Sequence, residues 1–286
     1  MARIAIIGGG SMGEALLAGI LRAGRPARDV LISERVPDRA DYLARTYSVR
    51  AVALGEALER AEIVILAVKP GDVESVVAEV AAAATRAERG SAEQVLVSVA
   101  AGLTTAFFES RLPAGSPVIR VMPNTPALVG AGVSALAAGR FATPEHLAQA
   151  AELFTSVGLA LTVPESQIDA VTAVSGSGPA YFFLFVEALV DAGVAAGLSR
   201  AVATDLAVQT MAGSAAMLLD RREADRDSAG GRPDTTAAEL RALVTSPGGT
   251  TAAGLRELER GGLRAAVAAA VEVAKTRSEQ LGITSE

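Results

Sequence analysis

Cysteine and tryptophan are absent from this chain of 286 residues, and histidine occurs once. Without thiols there are no disulfides, no thiolate metal sites and no cysteine nucleophile, and a reducing compartment is permitted. The lone His146 lies in TPEHLAQA, which reads as a surface helix opened by a Thr-Pro cap. Ser-His or Cys-His catalysis and histidine-rich metal sites are therefore not expected, and no metal ligand is assigned. Aromatics are only 3% of the chain, so small aliphatic side chains must pack the cores. Acids outnumber bases, 32 to 26, for a formal charge of -6, which argues against nucleic acid or an acidic membrane surface as partner. The N-terminal MARIAIIGGGSMG has no charged, apolar and cleavage regions of a secretory signal, and the expected location is cytoplasmic.

What is present is apolar. Hydrophobic residues make up 50% of the sequence and the mean hydropathy is +0.36, which points to surface buried between subunits. The length suits a nucleotide-binding domain plus a smaller partner domain. Short β-branched runs alternate with helical stretches from RIAII through DVLIS, EIVILAV and QVLVSVA, the rhythm of a parallel sheet with crossover helices. PVIRVMP and GVSALAA add strands, and LALTV is the last; beyond Pro164 Ala-rich helical stretches take over. The expected division is residues 1–164 for a dinucleotide-binding domain and 165–286 for a helical domain. Residues 221–236 are charged, rich in Gly and Pro and without apolar periodicity, and read as a mobile surface loop. Residues 180–197 are apolar on nearly every side. Glu187 and Asp191 argue against a membrane span there and for a buried helix, either the centre of the second domain or a subunit interface.

Immediately after RIAII, Gly8, Gly10 and Gly13 fit G-x-G-x-x-G at a strand-to-helix turn, with Ser11 and Met12 opening the helix. Gly8 permits the turn, Gly10 lets a pyrophosphate approach the backbone, and Gly13 allows close helix packing. The second strand ends at Ser33, Glu34 and Arg35, where an adenosine ribose belongs. Glu34 accepting from a 2′-OH favours NAD, whereas Arg35 facing a 2′-phosphate favours NADP. Ser33 and Arg35 can both donate to phosphate while Glu34 turns to solvent, so the reading leans to NADPH, with NADH open. Later strand ends carry Ala67, Val68, Lys69 and Pro70, then Ala100, Ala101 and Gly102, then Asn124 and Thr125, the last pair suited to the nicotinamide end.

In the helical half, TSPGGTT at residues 245–251 runs into AAGLRELE, so Thr250 and Thr251 begin a helix. Open backbone N–H groups, a positive helix end and hydroxyls suit a small carboxylate there, although a merely capped helix has the same signature. Hydride transfer needs neither His nor Cys, and a protonated imine needs no strong side-chain acid.

The motifs IIGGGSMGEALLAG, AVKP, AAG, RVMPNTP, SGSGPAYFFLFVEALVDAG and TSPGGTTAAGLRELERGGLRAAV together resemble the pyrroline-5-carboxylate reductase family, nearly end to end. The resemblance implies a Rossmann-like N-terminal domain and an all-α dimerisation domain. It also implies reduction of L-1-pyrroline-5-carboxylate to L-proline by NADPH or NADH, the last step of proline biosynthesis. It assigns residues 246–251 to the substrate: Ser246 and the amides around Gly248, Gly249 and Thr250 hold the carboxylate, and Thr251 bonds the ring nitrogen as the catalytic hydroxyl. It further implies a homodimer, five of which can form a decamer, with each pocket completed by the partner chain. Two features depart from the family pattern: the insertion at 221–236, so that Asp234 and Glu239 are left out of the site, and Glu34 where Asn is usual. Hydroxyacid and imine reductases of similar architecture are the nearest rivals, but the former are expected to carry a catalytic Lys on the long helix, and residues 175–193 have none. A non-catalytic dimeric nucleotide-binding scaffold is the rival from another class.

Overall fold

The computed structural model describes residues 3–86, 94–227 and 236–283. In chain order they form β1 (Ile4–Ile7), α1 (Ser11–Arg22), β2 (Val30–Ser33), α2 (Pro37–Tyr47), β3 (Arg50–Ala51), α3 (Leu54–Arg60), β4 (Ile63–Leu66), α4 (Pro70–Arg86) and β5 (Val95–Ser98). Then follow α5 (Thr105–Glu109), β6 (Val118–Met122), β7 (Gly132–Ala138), α6 (Pro144–Thr155), β8 (Gly158–Thr162) and α7 (Ile168–Val171), which passes into a π turn at Thr172–Gly176. The remaining helices are α8 (Gly178–Ala195), α9 (Arg200–Asp227), α10 (Thr236–Leu243), α11 (Thr250–Arg260) and α12 (Leu263–Ile283).

Two compact units result: Met1–Pro179 with Val271–Glu286, and Ala180–Ala270. In the first, the strands form one sheet in the order β3-β2-β1-β4-β5-β6-β7-β8. Alternation of side chains sorts the strands' residues to two faces. Ile4, Ile6, Ile32 and Ile65 join Leu16, Leu17 and Ile20 of α1 and Phe154 of α6 on one side. Ala5, Ile7, Val64 and Leu66 join Val73, Val77 and Val80 of α4 and Phe108 of α5 on the other. Both phenylalanines are fully buried, each contributing about 1.5–3 kcal/mol relative to exposure.

The sheet departs from an all-parallel one: β7 runs antiparallel to β6. The cause is connection length, since residues 123–131 are fewer than the dozen or so that a parallel crossover needs. The helix α6 restores a crossover, and β8 lies parallel to β7. The two-residue β3 and the short α3 and α5 have no sequence expectation behind them; β3 is exposed at both residues and carries no apolar pattern.

In the second unit, Val190, Ala203 and Ala207 form a small core with Val186 and Val194, and Arg200 pairs with Asp191 at 2.8 Å. The helix α8 is not buried within the chain as a domain centre would be: Phe182, Phe183 and Leu184 are each more than 60% exposed. The two stretches Glu165–Ala195 and Arg200–Glu223 are long and apolar enough to span a membrane by length and composition alone. The expected loop at 221–236 is in part helix, because Arg221–Asp227 continue α9 and Thr236 opens α10; residues 228–235 lie outside the described residues. Arg, Glu and Ala are good helix formers, so a charged stretch without periodicity can still extend an existing helix.

Candidate functional site

The nucleotide site follows from chain direction. Strands β1, β2 and β3 run to one side of the sheet and β4 onward to the other, so the order reverses between β1 and β4, and the crevice lies at their carboxyl ends. There the glycine turn has a distinct reason at each position. Gly8 has φ +102°, and a Cβ would stand 2.6 Å from the Ala67 carbonyl oxygen. A Cβ on Gly13 would stand 2.0 Å from the Gly8 carbonyl oxygen, so α1 packs directly on the turn. Gly10 meets nothing within 4 Å. It is the N-cap of α1 and supplies no side-chain cap, leaving the helix end, at Ser11, Met12 and Gly13, aimed at open space. A cleft of about 590 Å³ adjoins it, lined by Gly8, Gly10, Ser33, Arg35, Ala67, Val68 and Lys69 among others. A dinucleotide fits this set: open amides for pyrophosphate, an unfilled approach at Gly10, and beyond it Arg35 and Lys69 set among Glu34, Asp72 and Glu79.

Two positions differ from expectation. Glu34 does not turn to solvent; its Oε2 accepts from the Gly9 amide at 2.7 Å and its Oε1 from the Val36 amide at 2.8 Å. Arg35 is paired, its Nη1 lying 3.2 Å from Asp72 Oδ1. Asn124 accepts through Oδ1 from the Val133 amide (2.9 Å) and donates through Nδ2 to the Ser175 carbonyl (3.1 Å), tying its loop to the π turn. Pro70 is the first residue of α4, where its missing N–H costs nothing. His146 completes a capping box with Thr143 at the start of α6.

Sequence reasoning missed the brace beneath the glycine turn. Arg39 of α2 donates through Nε to the Gly9 carbonyl at 2.7 Å and through Nη2 to Glu14, which also accepts from the Tyr47 hydroxyl at 2.9 Å. Its partners are 25 to 33 residues apart, so no local spacing marks them. Burial raises the Glu14 pKa, but hydrogen bonds from Arg39 and Tyr47 and the Arg39 charge outweigh it and hold it below the usual carboxylate range. A carboxylate depressed in the folded state stabilises above its unfolded pKa, and that stability is lost as pH falls through the folded value. The expected outcome for Glu14→Gln is a loss on the order of 1 kcal/mol at neutral pH that disappears under acid conditions. Urea denaturation across the acid range checks it, and a loss that persisted in acid would contradict it. A second unforeseen cluster surrounds Arg120 on β6, 4% exposed, with Glu165 Oε1 at 3.5 Å and Asp169 Oδ1 at 3.9 Å. The Thr105 amide and Ser278 hydroxyl donate to these two half-buried acids at 2.6 Å each, holding them beside the buried Arg120.

In the second unit, α11 begins at Thr250 with Gly249 as N-cap and no side-chain cap. The Gly249 amide donates to the Ser246 carbonyl at 3.1 Å, closing a turn over Pro247 and Gly248. Gly248 has φ +71°, the left-handed value that the third position of a type II turn requires. A Cβ on Gly249 would lie 2.7 Å from Ser246 Oγ, so only glycine lets that hydroxyl fold against the turn. Ser246, Thr250 and Thr251 are exposed. No side chain caps the first turn of α11, as is also true of α1, α2 and α3, so its leading amides are open to solvent or to an acceptor.

Comparison with known proteins finds matches over both parts of the chain. The family profile described as NADP oxidoreductase coenzyme F420-dependent matches residues 3–102, and that described as pyrroline-5-carboxylate reductase dimerisation matches residues 165–281. Pyrroline-5-carboxylate reductase of Mycobacterium tuberculosis (strain ATCC 25618 / H37Rv) is 67% identical, covering 100% of this chain and 99% of that protein. That of Mycobacterium leprae (strain TN) is 65% identical over the same shares. Among solved structures, a pyrroline-5-carboxylate reductase from Coxiella burnetii is 32% identical with a TM-score of 0.88, covering 98% of both chains. The Plasmodium falciparum pyrroline carboxylate reductase with NADP bound is 29% identical with a TM-score of 0.80, also over 98% of both. With a nucleotide crevice at the switch point and an identity of 67% over its whole length, the chain belongs to the pyrroline-5-carboxylate reductase family of NAD(P)-dependent oxidoreductases.

Proposed function

We propose that the chain reduces L-1-pyrroline-5-carboxylate to L-proline with NADPH, NADH also serving, as the last step of proline biosynthesis. The observation that carries this reading is the start of α11, which no side chain caps, set beside Ser246 and the exposed hydroxyl residues Thr250 and Thr251. The amides around Gly248, Gly249 and Thr250, with the Ser246 hydroxyl, hold the substrate carboxylate. The Thr251 hydroxyl bonds the ring nitrogen and fixes the plane of the C=N bond. Bound NAD(P)H supplies the hydride that adds to the C=N carbon. The π electron pair then settles on the already protonated nitrogen, so the protein need supply no acid, and Thr251 keeps that nitrogen in place as it becomes an amine. On the cofactor side Gly8, Gly10, Ser11, Met12 and Gly13 hold the pyrophosphate, and Ser33, Arg35 and the stretch Ala67, Val68, Lys69 and Pro70 border the rest. The second Nδ2 hydrogen of Asn124 is available to the nicotinamide end. Cofactor deuterated at the transferring C4 position should label the former C=N carbon of proline; unlabelled proline, or none, would overturn the reading.

The working division is residues 1–164 for cofactor and 165–286 for substrate and dimerisation. A homodimer forms over the exposed apolar faces of α8 and α9, five such dimers building a decamer. Neither nucleic acid nor a membrane is a partner, and the enzyme works in the cytoplasm. Light scattering at micromolar concentration should give at least two chains per particle, and a monomer would contradict the dimer.

A further inference from the structure

We infer that Glu34 and Asp72 are specificity-determining residues that weaken the 2′-phosphate subsite and tilt cofactor choice toward NADH. The inference rests on the nucleotide-site reading above. In a fold of this kind the residue about 20 positions beyond the glycine turn, at the end of β2, lies beside the adenosine ribose, and Glu34 is there. Its carboxylate is held by two amides, Gly9 at 2.7 Å and Val36 at 2.8 Å, so its charge cannot swing away when a phosphate arrives. A carboxylate offers about four lone-pair directions, and two remain for ribose hydroxyls. It welcomes a 2′-OH and repels a 2′-phosphate carrying roughly two negative charges.

Arg35, the cation suited to that phosphate, is engaged by Asp72 at 3.2 Å. The cleft as a whole places Glu34, Asp72 and Glu79 against Arg35 and Lys69, an excess of one acid. A 2′-phosphate must therefore outcompete Asp72 for Arg35 while standing near Glu34. NADPH is used despite this pair of acids, and removing either should improve it relative to NADH.

The test is calorimetric titration of the full-length protein with NADP+ and NAD+, with no substrate present, and the readout is the ratio of the two dissociation constants. Glu34→Gln should shift the ratio toward NADP+ roughly tenfold and Asp72→Asn several-fold, while Arg35→Ala shifts it the other way. The ratio is used because Glu34 also braces the Gly9 amide, and loss of that brace would weaken both dinucleotides alike. An unchanged ratio in Glu34→Gln, with both constants weakened equally, would show that Glu34 only braces the turn and would overturn the inference. Failure of the wild-type protein to bind either dinucleotide would instead remove the nucleotide-site reading itself.

Discussion

Replacing Thr251 by alanine should lower turnover about a hundredfold while cofactor affinity stays near that of the wild type, the scale of loss seen when one well-placed hydrogen-bonding group is removed from a reacting centre. Thr251 is exposed in the first turn of α11, and no cap bond involves it, since Gly249 is the N-cap and contributes no side chain. The variant should therefore fold normally, and lost turnover can be assigned to the missing hydroxyl. Thr251→Ser keeps a hydroxyl on the same Cβ and should recover most of the activity. Steady-state rates for the three proteins, with cofactor titrations beside them, separate chemistry from binding. Wild-type-like turnover in Thr251→Ala would remove Thr251 from the mechanism.

Two neighbouring glycines should respond in opposite ways to the same added methyl group. In Gly13→Ala the methyl would lie 2.0 Å from the Gly8 carbonyl oxygen and 3.1 Å from its carbon, both backbone atoms, so α1 or the turn must shift. Overpacking against backbone in a filled interior should cost roughly 3 kcal/mol or more and abolish dinucleotide binding. In Gly10→Ala nothing lies within 4 Å of the new atom, and stability should be nearly unchanged. The methyl would project into the open approach before the helix end, so dinucleotide affinity should fall about tenfold or more. Denaturant unfolding and calorimetric titration of both variants give the two readouts. A Gly13→Ala protein as stable as wild type, or a Gly10→Ala protein that binds cofactor normally, would contradict this account of the turn.

These contrasts show why some of the site could be read from sequence. Gly8, Gly10 and Gly13 follow a spacing whose geometry is local, and Thr250 starts a helix where TSPGGTT ends because a glycine turn and a helix start are local events as well. Seven of the eight strands among the described residues were legible from their apolar runs, and β3, with two exposed residues, was not. The antiparallel β7 follows from a short connection, a constraint visible only once the strand ends are known. The Arg39–Glu14–Tyr47 brace and the Arg120–Glu165–Asp169 cluster join residues far apart in sequence, so composition and periodicity carry no trace of them. Glu34 was misdirected toward solvent because two backbone amides that only the folded turn brings together hold it inward. The helix α8 offered two readings, core or interface, and its exposed phenylalanines exclude the first within a single chain.

The central claim is that the turn at 246–251 clamps the carboxylate of a cyclic imine. NADPH consumption by the wild-type enzyme should be compared for pyrroline-5-carboxylate and for 1-pyrroline, the same ring without its carboxylate. Loss of charge-assisted hydrogen bonds worth about 1.5–3 kcal/mol each predicts a fall in kcat/KM of roughly a hundredfold or more for the truncated ring. Equal kcat/KM for the two would contradict the clamp.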